Sequence, residues 1–174
     1  MPIRTVYMGS PDFAVPALDM LVKDPRVDVA LVVSQPDRPA GRGKKLRPPA
    51  VAAHAHTHGI ATFQPESMRS DEAYDRLSDL APDLIVVAAY GQILRQRILD
   101  IPPLGCINIH ASLLPRWRGA APIHWAVASG DASTGVSIMR MERGLDTGPV
   151  YGMRATMIGA TETSGELHDR LATM

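Results

Sequence analysis

The chain has 174 residues, of which 45% are hydrophobic and 21% charged, and its acidic and basic residues balance to a formal net charge of zero. This length allows one domain with a proper core, and the neutral balance excludes a protein that binds polyanions over its whole surface. The single cysteine excludes an internal disulfide and fits a reducing compartment. The apolar run near Met1 is too short for a signal peptide or a membrane span. We therefore expect a cytoplasmic protein with no membrane partner.

Strands and helices alternate along the first hundred residues. The apolar and β-branched runs predict strands at 3–8, 27–33, 60–63 and 84–89. Helical spacing and start signals predict helices that open at Ser10-Pro11-Asp12, Ala50 and Ser70, and a further helix over 92–99. Because 27–33 and 84–89 are almost fully apolar, they are typical of parallel strands that are covered on both faces.

The last third of the chain departs from the regular alternation of strands and helices. Its patterns predict a short strand at 106–110, a helix at 120–129, and two strands, 134–141 and 150–158, that pair antiparallel. A capping box at 163–166 opens a final helix. The whole pattern predicts an α/β fold with a doubly wound, Rossmann-like, mostly parallel sheet and a mixed antiparallel edge near the C-terminus. We find no repeat and expect one domain over residues 1–174.

The stretch from Gly105 to Gly119 is the most informative part of the sequence. Asn108 and His110 are two positions apart in a short strand, so their side chains leave the strand on the same face. Open α/β sheets bind ligands at the carboxyl ends of their strands. An imidazole there can hold or donate a proton near neutral pH, and an amide can bind a carbonyl oxygen. The alternative is a pair of satisfied polar residues at a strand end.

Residues 35–49 form a second unusual segment. It contains four prolines and, between Asp37 and Arg47, five positive charges against one negative. The segment predicts an irregular loop, long for a compact domain, which suits contact with phosphates. A solvated charged loop is the alternative.

Two other features invite a functional reading that the sequence does not favour. His54 and His58 are one helical turn apart, but no carboxylate or cysteine close by in sequence completes a ligand set, so we expect no bound metal. Cys106 shares the face of Asn108, yet its apolar neighbours indicate a buried, inert thiol.

Taken together, the motifs resemble the folate-dependent formyltransferases. The superfamily resemblance rests on Asn108-x-His110, on Ser112-Leu113-Leu114-Pro115, on Gly119 and on Asp146. A narrower resemblance, to the methionyl-tRNA formyltransferases, rests on five further blocks that span nearly the whole chain in the family's order: residues 8–14, 35–45, 88–91, 115–123 and 144–148.

The resemblance implies transfer of a formyl group from 10-formyltetrahydrofolate to the α-amino group of methionine on initiator tRNA. It implies that Asn108, His110 and Asp146 are catalytic. Asn108 and His110 would donate hydrogen bonds to the tetrahedral oxyanion. Asp146 lies on a glycine-flanked turn that could bring it beside His110, where a carboxylate would favour the imidazolium and relay the proton of the amine. We expect the three to act as one unit, with His110 as imidazolium.

Binding positions follow from the same resemblance. It places tetrahydrofolate against Ser112, Leu113, Leu114 and Pro115, and the pterin ring near Tyr90, Gly91 and Gln92. It assigns Arg42 to the acceptor end of the tRNA and Arg38, Lys44 and Lys45 to its phosphates. It requires no metal and no nicotinamide, and we expect a monomer. The roles of Arg116, Trp117 and Arg118, as a nucleic-acid patch or as loop packing, stay open.

Two alternatives remain at this point. The chain could formylate a small amine, glycinamide ribonucleotide or an amino sugar, although the basic segment would then have no use. It could also be a folate- or nucleotide-binding module without catalysis. The family carries a further C-terminal domain that helps to hold tRNA, and we expect that this chain lacks it.

Overall fold

The structure, a computed structural model, describes residues 1–40 and 44–174, which form two compact units, Met1–Cys106 and Ile107–Met174. Among the described residues, none of the helices combines the length and the apolar character that crossing a membrane requires. The expectation of one catalytic domain over the whole chain stays a prediction.

The first unit is built on four parallel strands. Its elements are β1 (Ile3–Gly9), α1 (Val15–Lys23), β2 (Val27–Val33), β3 (Arg38–Ala40), β4 (Lys45–Arg47), α2 (Ala50–Thr57), β5 (Thr62–Phe63), α3 (Asp71–Leu80), β6 (Leu84–Ala88) and α4 (Gln96–Leu99). β1 pairs with β2 and β6, and β5 pairs with β2, all in parallel. These pairings confirm the predicted parallel strands, and the buried residues of β1, β2 and β6 form much of the core of this unit.

The turn after β1 is tightly packed. A Cβ at Gly9 would lie 2.9 Å from the Ala14 Cβ, so a side chain does not fit there. Helical structure begins at Asp12–Ala14, a 3-10 turn that leads into α1, close to the predicted start. Ser10 is not its cap, because the Ser10 hydroxyl accepts a hydrogen bond from the Gln35 backbone N–H at 3.1 Å.

The basic segment is not wholly irregular, which corrects the prediction for residues 35–49. β3 and β4 pair antiparallel as a short hairpin, with Arg38 opposite Arg47. Pro39 tolerates this position because the pair is an isolated two-stranded ribbon that needs few ladder bonds.

The predicted helix over 92–99 is shorter than expected, since only Gln96–Leu99 is helical. Gln92 accepts a hydrogen bond from the Met68 N–H at 2.8 Å and donates to the Pro65 carbonyl at 3.4 Å. These bonds tie Gln92 to a neighbouring loop, and Ile93 is 69% exposed instead of packing on a helical face. Tertiary hydrogen bonds therefore override the local helical pattern.

The second unit contains all of β7 (Cys106–His110) except its first residue, followed by α5 (Pro122–Ala128), β8 (Ser133–Arg140), β9 (Val150–Met157) and α6 (Ser164–Ala172). β8 pairs antiparallel with both β7 and β9, which confirms the predicted antiparallel strands near the C-terminus. The predicted capping box is also present: Thr163 Oγ1 accepts from the Glu166 N–H at 3.3 Å, and Glu166 Oε2 accepts from the Thr163 N–H at 2.8 Å. Leu167 and Leu171 bury the inner face of α6.

Gly135 in β8 is a sensitive point of this unit. A Cβ there would overlap the Arg154 carbonyl and lie 2.7 Å from Leu113 Cδ2. We expect Gly135→Ala to lower the free energy of unfolding, measured by urea denaturation, by about 1–3 kcal/mol, the usual cost of overpacking. Gly152→Ala on β9 is the matched control, because nothing lies within 4 Å of the added Cβ. Equal stability of the two variants would contradict this account.

Candidate active site

β7 places Asn108 and His110 side by side. The strand pairs with β8 so that Asn108 lies opposite Met139 and His110 opposite Ser137. The two residues are separated by Ile109, which points to the other face. The His110 side chain is only 7% exposed, so the imidazole is shielded from solvent. His110 is also the last residue of β7.

Asp146 joins these two residues from the turn between β8 and β9. Its Oδ1 accepts a hydrogen bond from Asn108 Nδ2 at 3.3 Å, and its Oδ2 accepts from the Gly119 N–H at 2.8 Å. Oδ2 also lies 3.7 Å from His110 Nδ1. Asp146 has a left-handed backbone with φ of 47°, which is uncommon for a residue with a side chain. The structure thus brings together the three residues that the resemblance implies are catalytic.

The other side of the His110 ring is held by the loop that follows β7. His110 Nε2 lies 2.9 Å from the Trp117 carbonyl oxygen, which can only accept, so Nε2 carries a proton. Nδ1 then faces the Asp146 carboxylate. At 3.7 Å that contact is too long for a hydrogen bond. Nδ1 therefore lies near the carboxylate without being hydrogen-bonded to it.

Asp131 supports this loop, and sequence reasoning missed it. It accepts hydrogen bonds from Arg116 Nε at 2.8 Å, Arg116 Nη2 at 2.6 Å and Trp117 Nε1 at 2.7 Å. The Arg116 guanidinium carbon also lies 4.3 Å from the Trp117 ring centroid. Together these contacts fix Trp117, whose carbonyl holds His110. Since the partners are 14 and 15 residues apart, no local pattern signals them.

The same contacts show that two of the three residues whose role stayed open take part in packing the loop. Arg116 and Trp117 pack the loop through Asp131, as one of the two interpretations held. Arg118 is exposed, and no hydrogen bond or ion pair joins it to the described residues. Hydrogen bonds from Arg116 and then from Trp117 hold the pKa of the Asp131 carboxyl down at about 2.

Residues 112–115, expected to contact folate, differ in what they leave accessible. Ser112 donates to the Arg116 carbonyl of the same loop at 2.6 Å, and the Leu114 N–H donates to Ser137 Oγ of β8 at 3.1 Å, so both polar groups already have partners within the second unit. Leu113 is half-buried and lines a cavity of about 230 Å³ that also borders Trp117 and Thr134. Pro115, after a cis peptide bond, is exposed. Folate contact by these residues stays a prediction.

The three residues expected near the pterin ring lie in the first unit, after β6. Tyr90 is 2% exposed, and burial raises the pKa of its hydroxyl. Its carbonyl accepts hydrogen bonds from Gln35 Nε2 at 3.1 Å and from Ser10 Oγ at 3.3 Å. Gly91 is exposed with φ of 87°, whereas the Gln92 side chain is used by its own unit. The turn therefore offers mainly backbone groups to a ligand.

The basic hairpin of β3 and β4 is well exposed. Arg38, Lys44, Lys45 and Arg47 are exposed, and none of them forms an ion pair with a carboxylate of the described residues. Arg42, the position assigned to the acceptor end of the tRNA, lies outside the described residues.

Cys106 is buried, at 1% exposure, as expected. Its thiol donates to the Leu99 carbonyl at 3.9 Å. Burial among apolar residues is typical of a structural cysteine.

Comparison with protein families matches residues 3–174 to the formyl transferase family. The chain belongs to this family. It is 58% identical over 172 residues to the methionyl-tRNA formyltransferase of Halorhodospira halophila, covering 99% of this chain and 55% of that protein. It is 58% identical over 170 residues to the same-named protein of a Jannaschia species, covering 98% of this chain and 56% of that protein. The chain thus spans about half the length of these relatives.

Solved structures of similar fold extend the comparison. The phosphoribosylglycinamide formyltransferase of Bacillus halodurans superposes with a TM-score of 0.77 at 23% identity, covering 97% of this chain and 87% of that one. Glycinamide ribonucleotide transformylase 1 of Symbiobacterium toebii superposes with a TM-score of 0.79 at 21% identity, covering 98% and 81%. At such identities the likeness concerns the fold, and it confirms the predicted Rossmann-like class.

Asp131 provides a test of the loop in this family member. The ordinary pKa of the Asp131 carboxyl is 3.8, and its pKa in the folded chain is about 2. Between these pH values the unfolded chain therefore binds more protons than the folded chain. The stabilisation of the fold by the charged carboxylate is complete above about pH 4 and is lost as the pH falls toward 2. We expect Asp131→Asn to be less stable than the parent at about pH 6, with the difference narrowing at about pH 3 in urea unfolding.

Asp75→Asn is the control, because Asp75 is an exposed carboxylate on α3. It should change stability little at either pH. A destabilisation by Asp131→Asn that is the same at both pH values would show that the charge of Asp131 does not stabilise the loop.

Proposed function

We propose that this chain is the catalytic part of a methionyl-tRNA formyltransferase, which moves a formyl group from 10-formyltetrahydrofolate to the α-amino group of methionyl initiator tRNA. The observation that supports this most strongly is the 58% identity, over 99% of the chain, to a relative of that name. The grouping of Asn108, His110 and Asp146 supports it from the side of the chemistry, because the reaction needs oxyanion donors and a proton carrier in one place.

The proposed reaction has two steps. The neutral amine attacks the formyl carbon, a C–N bond forms, and the carbonyl oxygen becomes an oxyanion. Asn108 keeps one Nδ2 proton beyond the one that it gives to Asp146. In the imidazolium form proposed for the reaction, His110 also carries a proton on Nδ1, 3.7 Å from Asp146 Oδ2, so both residues can donate to that oxygen. The bond between the formyl carbon and the folate nitrogen then breaks. The amine proton passes to Asp146, and His110 protonates the departing nitrogen and regains a proton from Asp146.

Binding of tRNA is the second part of the proposal. The hairpin presents Arg38, Lys44 and Lys45 to solvent without carboxylate partners among the described residues, which suits a phosphate backbone. Arg42 in the same segment would approach the acceptor end. A small amine substrate has no use for such a cluster. The family assignment further suggests a cytoplasmic, monomeric enzyme that requires no metal for the transfer.

The catalytic set can be tested by formyl transfer with each residue changed in turn. We expect His110→Ala and Asn108→Ala to lower kcat by about 100- to 1,000-fold, the usual cost of one oxyanion donor. Asp146→Asn should lower it by about 100- to 10,000-fold, because the amide cannot take up a proton. His124→Ala, an exposed histidine of α5, is the matched control and should keep full activity.

The same assay separates the acceptors. Methionyl initiator tRNA, glycinamide ribonucleotide and an amino sugar are offered in parallel with 10-formyltetrahydrofolate. Faster transfer to either small amine than to the tRNA would contradict the proposed substrate. Full activity of His110→Ala would contradict the proposed catalytic set.

The hairpin can be tested through salt. Lys45→Ala should weaken tRNA binding and reduce the slope of log affinity against log salt concentration by about 1, because one phosphate contact is lost. Arg76→Ala removes an equal charge from the exposed face of α3 and should leave the slope unchanged. Equal slopes for the two variants would show that the hairpin does not contact the phosphates.

A further inference from the structure

His54 and His58 gain a third potential ligand in the folded first unit. They lie one turn apart at the end of α2, with ring centroids 4.5 Å apart. Asp19, from the neighbouring helix α1, brings its Oδ1 to 3.6 Å from His54 Nε2. One ligand atom from each of the three residues falls within 4.8 Å of the others. The sequence did not reveal this carboxylate because it lies on a different helix.

The protonation pattern of His58 leaves a lone pair available. Its Nδ1 lies 3.1 Å from the His54 carbonyl oxygen, which can only accept, so Nδ1 carries the proton. In the neutral ring Nε2 is then unprotonated. A ring N–H bonded to a backbone carbonyl is the arrangement that commonly orients a metal-binding histidine.

His54 is prepared in a different way. Its Nε2 is shielded from solvent and has no hydrogen-bond partner in the part of the chain that the structure describes. A buried nitrogen without a hydrogen bond is costly, and the Asp19 carboxylate is the group that faces it. A cation held between the two would satisfy both.

Asp19 is shared with one competitor. Lys23 Nζ binds Asp19 Oδ2 at 2.6 Å, which leaves Oδ1 for another partner. The Lys23 side chain is 69% exposed, so it can turn away into solvent. Lys23 also places a positive charge beside any cation that Asp19 would bind, and this charge should weaken the binding of the cation.

We propose that Asp19, His54 and His58 bind one divalent transition-metal ion of the Zn²⁺ class, with water in the fourth position. Ligand atoms of a tetrahedral zinc site lie about 3.3 Å apart, close to the 3.6 Å between Asp19 and His54. His58 is exposed, and the ligand atoms of all three residues already lie within 4.8 Å of one another. Such an ion would cross-link α1 and α2. The proposal is independent of formyl transfer.

Calorimetry with zinc chloride, and visible absorption with Co²⁺ as the spectroscopic substitute, test it on the 174-residue chain. We expect one ion per chain and the intense absorption of tetrahedral Co²⁺. His58→Ala and Asp19→Asn each remove a ligand and should weaken binding by more than the roughly 10- to 100-fold loss that is usual for an outer-shell change. Thermal unfolding without metal checks that each variant is folded.

Two further variants make the test specific to this site. His56→Ala removes an exposed histidine from the same helix and should leave the affinity unchanged. Lys23→Ala should strengthen zinc binding, because it frees the second carboxylate oxygen and removes the neighbouring charge. No binding to the parent chain, or equal binding to His58→Ala, would overturn the proposal and leave the contact between His54 and Asp19 as the role of the cluster.

Discussion

The carboxylate of Asp146 is the group on which the candidate active site depends. It is only 14% exposed, and burying a charge is costly unless hydrogen bonds compensate. Those bonds come from the Asn108 amide and the Gly119 backbone N–H, which belong to different segments of the second unit. One charged group thus fixes the end of β7, the loop after it and the turn before β9. His110 lies within this frame, and its Nδ1 is turned toward the same carboxylate.

Local patterns in the sequence predict the secondary-structure elements of this site but not all of the contacts between its residues. The alternation of Asn108 and His110 predicts that they share a face of a strand, and the apolar run at 27–33 predicts β2. Both are properties of adjacent residues, so no tertiary information is needed. Asp146 is different. Nothing in its spacing from His110 requires contact, and it was the family resemblance that implied their association.

The remaining differences have tertiary causes. Asp131 is important only because Arg116 and Trp117 fold back onto it, and such a contact leaves no periodic signal. Gln92 follows a helical pattern in sequence, but its side chain is held by another loop. Asp19 meets His54 across two helices. In each case a polar side chain finds a partner distant in sequence, which propensity and periodicity do not report.

Three residues with side chains adopt left-handed backbones around the candidate site, namely Trp117, Ala121 and Asp146, with φ of 57°, 56° and 47°. Such conformations cost roughly 1–3 kcal/mol each. At Trp117 and Asp146 hydrogen bonds offset the cost, whereas the exposed methyl group of Ala121 offers none. When variants of this chain are selected for thermal stability alone, glycine should therefore appear at position 121 before it appears at position 117 or 146. If glycine is excluded from positions 117 and 146 only when cell growth requires the activity of the enzyme, selection for catalysis maintains the backbone strain at these positions.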